Sequence, residues 1–90
     1  MTLVILDPRD NVATAAQALA PGAVASGHET DLLVEQDVPR GHKVALMDIA
    51  EGADVIRYGE VIGVATAPIR RGQHVHVHNL ISRRLPGGGR

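Results

Sequence analysis

Apolar and polar residues in this chain alternate in short stretches separated by Gly-containing turns, which predicts strands over 3–6, 31–35, 43–47, 54–58, 61–65 and 73–79. One turn unit recurs: an apolar residue, two variable residues, then Gly. It appears as Leu19 to Gly22, Val38 to Gly41, Ile49 to Gly52 and Ile69 to Gly72. Glycine tolerates the left-handed backbone that closes such turns, and the apolar residue can tuck beneath them. The copies are unequally spaced, so the chain is not a solenoid; chance recurrence of a common turn competes with a compact array of short strands, and four copies favour the array. Gly59 and Glu60 separate two predicted strands, a spacing suited to a two-residue hairpin with Gly first. The segment 11–19 stays open, because its alanines favour helix while Val12 and Thr14 allow a strand.

If 73–79 is a strand, His74, His76 and His78 share one face, about 7 Å apart per step, with Val75 and Val77 on the other. Neutral imidazole ligates metals and changes charge near physiological pH. Three readings remain open: a solvated strand face, metal binding by two of the rings, or contact with a substrate or partner chain. A metal site also needs a third ligand or a carboxylate, which this spacing does not supply. A second constellation is Gly41, His42 and Lys43 at the mouth of a predicted strand, where a ring and a cation suit a carboxylate or hydroxy acid; the competing reading is a surface turn. The third is Tyr58, Gly59 and Glu60, where turn chemistry competes with a binding role. His28 is expected on an exposed loop.

Ninety residues make one small domain with little room for a deep cleft of its own, which points to a module or a subunit. The apolar content is Val, Ile, Leu and Ala, with no Phe or Trp and only Tyr58, so β-branched contacts replace aromatic anchors. A formal charge of −1 and the lack of stacking aromatics argue against nucleic acid as a partner. The absence of cysteine excludes disulfides, thiolate zinc sites and a cysteine nucleophile. No apolar run approaches membrane-spanning length and no signal-peptide pattern opens the chain, so no membrane partner and a cytoplasmic location are expected. No catalytic Ser, His and Asp arrangement and no phosphate-cradling glycine loop is apparent. The composition of 82–90 is that of a flexible C-terminal tail, leaving 1–81 as the domain.

Asp10 to Ala13, Gly41 to Leu46, Asp48 with Ile49, Val55 to Gly63, and His74 to Asn79 together resemble the altronate and galactarate dehydratase family, more narrowly its small N-terminal SAF-type domain. The resemblance runs from Leu3 to Asn79 with the motifs in order. It implies a mostly β fold, a SAF-like β-clip of short strands and tight turns. That family dehydrates sugar acids such as altronate and galactarate to 2-keto-3-deoxy acids with a divalent metal, iron or manganese, on a much larger second domain. It includes split enzymes whose small domain is a separate polypeptide, among them the small subunits of altronate dehydratases and of sulfolactate sulfo-lyase, which eliminates sulfite. The length here implies such a small subunit, inactive alone, whose partner is a large catalytic dehydratase subunit. The resemblance further implies substrate-pocket roles for His42, Lys43, Tyr58, Glu60, His76 and His78, and His76 and His78 as candidate metal ligands. The histidine-rich ending looks more like the altronate or sulfolactate branches than the galactarate branch. A non-catalytic hydroxy-acid or carbohydrate-binding module and a free-standing metal-binding protein are the competing classes.

Overall fold

Short runs of β-branched and small apolar residues broken by Gly turns yield short strands, and a computed structural model describes them over residues 2–82. In chain order they are β1 Leu3–Val4, β2 Val12–Ala15, β3 Val24–Gly27, β4 Thr30–Leu33, β5 Lys43–Ala45, β6 Asp54–Arg57, β7 Glu60–Ala65, β8 His74–Val75 and β9 Leu80–Ser82. The described residues contain no helix, in keeping with the mostly β expectation.

The strands form an antiparallel sheet ordered β1-β2-β5-β8, a β3-β4 hairpin and a β6-β7-β9 sheet. The four-stranded sheet is central because alternate residues on β2 and β5 enter different cores. Ala13, Ala15 and Val44 pack with Leu3, Leu32 and Val38 in one cluster. Val12, Ala45 and Val75 pack with Ile49, Val55 and Ile69 in the other. The segment left open between helix and strand thus contains the strand that separates the two cores, with Ala13 and Ala15 buried on one side and Val12 on the other.

The recurring turn unit is the second organising device. Leu19, Val38, Ile49 and Ile69 are all buried, and Gly22, Gly41, Gly52 and Gly72 have φ between +85° and +88°, as the third position of a type II turn requires. The units pair. Leu19 and Val38 exchange backbone hydrogen bonds of 2.9 Å each way, and Ile49 and Ile69 do the same at 2.7 and 2.8 Å. Around the first pair, Gly41 N donates to Ala15 O and Gly22 N to Val34 O; around the second, Gly72 N donates to Ala45 O and Gly52 N to Ala65 O. Two copies of one arrangement therefore flank the central sheet, each with a hairpin, β3-β4 or β6-β7.

Several boundaries differ from the sequence reading. The hairpin turn is Tyr58-Gly59, not Gly59-Glu60: φ is +57° and +77° at these two positions, Arg57 pairs with Glu60, and Glu60 opens β7. This is a type I′ turn, whose twist matches that of its strands. His28-Glu29 makes the same turn between β3 and β4, which places His28 in an exposed loop. Strands β1 and β5 stop at Val4 and Ala45, short of the predicted 6 and 47. β8 ends at Val75 instead of running to 79. Ser82, placed by composition at the start of the tail, is the last residue of β9 and pairs with Gly63; the rest of the tail, 83–90, lies outside the described residues.

Candidate functional site

Gly41 turns the chain so that His42 enters just ahead of β5, its N–H donating to Pro39 O at 3.0 Å. The β5-β8 register pairs Val44 with His74 and Lys43 with Val75. One further antiparallel step sets His42 opposite His76, and their rings stack with centroids 3.7 Å apart and planes 14° from parallel. His42 Nδ1 lies 2.8 Å from His74 Nε2, so one nitrogen donates and the other accepts. One ligand nitrogen from each of His42, His74 and His76 falls within 4.8 Å of the others.

The strand stops here for a local reason. Asn79 Oδ1 accepts from His76 N at 3.0 Å, and its Nδ2 donates to His74 O at 2.9 Å. Asn79 N also donates to His76 O, closing a turn in place of further ladder. The expected greasy face is therefore lost beyond Val75: Val77 is 82% exposed. His78 is exposed, tilted 36° from His74 at 4.9 Å, and falls outside the compact group. The three-imidazole set is His42, His74 and His76, whereas the sequence pointed to His76 with His78. The third imidazole, that of His42, comes from across the sheet, which spacing along one strand cannot reveal.

Burial depresses the pKa of His74 and His76, and the neighbouring imidazoles and Lys43 add to the effect. His76 Nδ1 is buried without a hydrogen-bond partner. Neutral rings at close range offer lone pairs, so the set suits a divalent cation in donor type and can equally accept or pass a proton. The Lys43 ammonium is also depressed, first by burial and then by Arg57.

Tyr58 and Glu60 part company. Tyr58 Oη lies 3.4 Å from Thr14 Oγ1, and the guanidinium carbon of Arg57 stands 4.9 Å from the Tyr58 ring centroid. Thr14 is the direct cross-strand partner of Lys43, so Tyr58 lies over the face of β2 and β5 that carries Lys43, opposite the face that carries Val44 and His74. Glu60 is exposed at the start of β7, and no hydrogen bond or ion pair joins it to the imidazoles. Sequence reasoning put His74 on the candidate histidine face without assigning it a pocket role, and gave Arg57, Thr14 and Asn79 none. A separate groove of about 510 Å³, lined by Leu6, Asp7, Asp10, His28, Met47 and Arg71, lies beyond the other end of β5 and includes none of the stacked rings.

Among the described residues no helix is long and apolar enough to cross a membrane. Residues 1–83 match the altronate/galactarate dehydratase SAF domain. The chain is 49% identical over 79 residues, 88% of its length, to altronate dehydratase from Escherichia coli (strain K12), and spans 16% of that protein. It is 47% identical over 51 residues, 57% of the chain, to (2R)-sulfolactate sulfo-lyase subunit alpha from Chromohalobacter salexigens, covering 54% of it. The corresponding subunit alpha from Paracoccus pantotrophus is 43% identical over 53 residues, 59% of the chain and 79% of that protein. With a family match over nearly all of its length, the chain belongs to the SAF domain family of the altronate/galactarate dehydratases.

Proposed function

We propose that this chain serves as the small subunit of a metal-dependent sugar-acid dehydratase of the altronate type, lending pocket residues to a large catalytic partner. The observation that carries this reading is the convergence of three imidazoles, those of His42, His74 and His76, in a domain of this family. Elimination of water from a hydroxy acid needs a base for the proton beside the carboxylate, assistance to the departing hydroxyl, and stabilisation of the enolate-like charge. Lys43 supplies positive charge near the carboxylate end. The depressed pKa values of His74 and His76 leave their rings neutral at pH 7 and able to accept a proton or orient a hydroxyl. A divalent metal, iron or manganese, supplies Lewis-acid polarisation and belongs mainly to the large partner, although the nitrogen donors of His42, His74 and His76 also suit such an ion. Pocket roles for Tyr58, Glu60 and His78 belong to the same proposal, with Glu60 and His78 reaching the substrate from the rim.

The test is reconstitution. The purified chain mixed with its large partner is expected to form the 2-keto-3-deoxy acid from altronate, and His76→Ala in the chain is expected to lower kcat/KM by about 100-fold. A large partner that turned over equally fast alone would sink the proposal. The similarity to sulfolactate sulfo-lyase alpha subunits favours a second reading, in which the leaving group is sulfite. Sulfite release from sulfolactate by the same mixture, with no turnover of altronate, would select it.

A further inference from the structure

Among the described residues no acid forms an ion pair with Lys43 or Arg57; the ion pair present is that of Arg9 with Asp7, whose side chains lie against Gly59 in the β6-β7 turn. Arg57 Nε is buried with no hydrogen-bond partner. The acids on adjoining segments do not answer it. Glu60, the register partner of Arg57, is exposed and forms no ion pair with a described residue, and Asp10 accepts from the Gly59 N–H through Oδ1 at 2.8 Å while its Oδ2 is buried and bonds to no described residue. Gathering like charges in a partly desolvated place costs free energy that a fold does not recover from its own contacts.

The backbone fixes this gathering. Asn11, at the entry to β2, donates from Nδ2 to Asp54 O at 2.9 Å and accepts from Ile56 N through Oδ1 at 2.7 Å, clamping β6 against the central sheet. Arg57 and Tyr58 are thereby carried over β2, where Tyr58 Oη meets Thr14 Oγ1 at 3.4 Å. Thr14 in turn faces Lys43 across the β2-β5 ladder. Two cations and two hydroxyls, from β2, β5 and the β6-β7 hairpin, converge on one spot. The Arg57 guanidinium is held 4.9 Å from the Tyr58 ring centroid, which limits its rotation.

We infer that Lys43, Arg57, Tyr58 and Thr14 form a receptor for the carboxylate of a small hydroxy acid, with Arg57 setting its orientation. A guanidinium presents N–H groups in a plane that matches both carboxylate oxygens, and Lys43 adds a point charge. The Tyr58 and Thr14 hydroxyls are left for a carboxylate oxygen or the neighbouring hydroxyl of the acid. The β5-β8 register pairs Lys43 with Val75 and Val44 with His74, so an acid held here lies on the face of the sheet opposite the His74 ring. The assignment rests on the dehydratase reading for the identity of the acid.

The full chain, labelled with nitrogen-15, is titrated with altronate and, as a neutral control, altritol at fixed ionic strength. Altronate is expected to move the amide signals of Thr14, Lys43, Arg57 and Tyr58, and altritol to leave them in place. Arg57→Gln is expected to weaken altronate at least 10-fold, and Arg57→Lys by less, since it keeps the charge and loses the planar fork. Signal dispersion reports whether each variant is folded, and Lys43→Gln repeats the test should Arg57→Gln fail to fold. Unchanged affinity in folded Arg57→Gln, or shifts confined to other residues, would overturn the assignment. So would loss of association with the large partner in Arg57→Gln without altronate shifts in the parent chain, because the carboxylate recognised would then be a side chain of the partner. Restored dehydration with an unaltered KM in Arg57→Gln would refute the receptor alone; altronate binding without reconstituted turnover would refute the subunit role alone.

Discussion

At the scale of single residues, the stacked histidines tie chemistry to stability. His74 and His76 hold their protons less tightly in the folded chain than in the unfolded one, chiefly because burial disfavours the imidazolium and secondarily because other rings and Lys43 crowd it. The unfolded chain therefore binds more protons once the pH falls to about 6.5, the ordinary histidine value, and stability must fall with it. Urea midpoints are expected to be level above about pH 7.5 and to drop as pH falls through about 6.5. His76→Gln is expected to flatten that drop; an identical slope in the variant would show that the burden lies elsewhere. The Asp7 carboxyl behaves in the opposite sense, because hydrogen bonds from Arg9 hold it down to about 2. Its contribution is present above the ordinary aspartate value of about 3.9 and is lost only on deeper acidification, in a window separate from that of the histidines.

The turn unit is the element whose role was plainest in the sequence, and its copies differ in ways that only packing reveals. Gly52 and Gly72 share left-handed φ values of +85° and +88°, yet a Cβ on Gly52 would meet nothing within 4 Å while one on Gly72 would run into Leu33 O. Gly52→Ala is expected to cost about 1–2 kcal/mol from the backbone alone. Gly72→Ala should add about 1–3 kcal/mol for the forced displacement of backbone, read as the difference in denaturant midpoints; equal losses would mean that Leu33 yields freely. Strands β6 and β7 were legible because Val55, Ile56, Val61, Ile62 and Val64 crowd β-branched residues on either side of a Gly-containing turn. β3 was not, since Val24-Ala25-Ser26-Gly27 has only one β-branched residue, and its Gly27 is there because Leu3 passes too close for a Cβ. The His-Val alternation over 74–79 misled for a different reason: the Asn79 side chain satisfies the backbone of His74 and His76 and so ends the strand. His42, Lys43 and Tyr58 were legible as candidates from their turns, whereas their meeting with His74, Arg57 and Thr14 depends on register across β2, β5 and β8.

For the whole molecule, the decisive feature is that one thin sheet serves two cores. Val44 and Ala45 are neighbours in sequence, both fully buried, and belong to opposite clusters. Neither hairpin can keep its packing if the central sheet dissolves, so the two cores should melt together even though no residue belongs to both. Tyr58, the chain's only aromatic residue, sits in the β6-β7 turn and supplies a fluorescence signal local to one side, while far-ultraviolet circular dichroism averages over all strands. Leu32→Ala empties space in the cluster on the other side and is expected to cost about 2–5 kcal/mol, a large share of what a domain this small possesses. If the sheet couples the cores, the Tyr58 midpoint in urea must shift by as much as the circular dichroism midpoint, although Tyr58 lies in a different hairpin from Leu32. A Tyr58 transition that stayed at its original midpoint while the dichroism split in two would make the cores independent, and the imidazole cluster would then have to be understood from the β5-β8 edge alone.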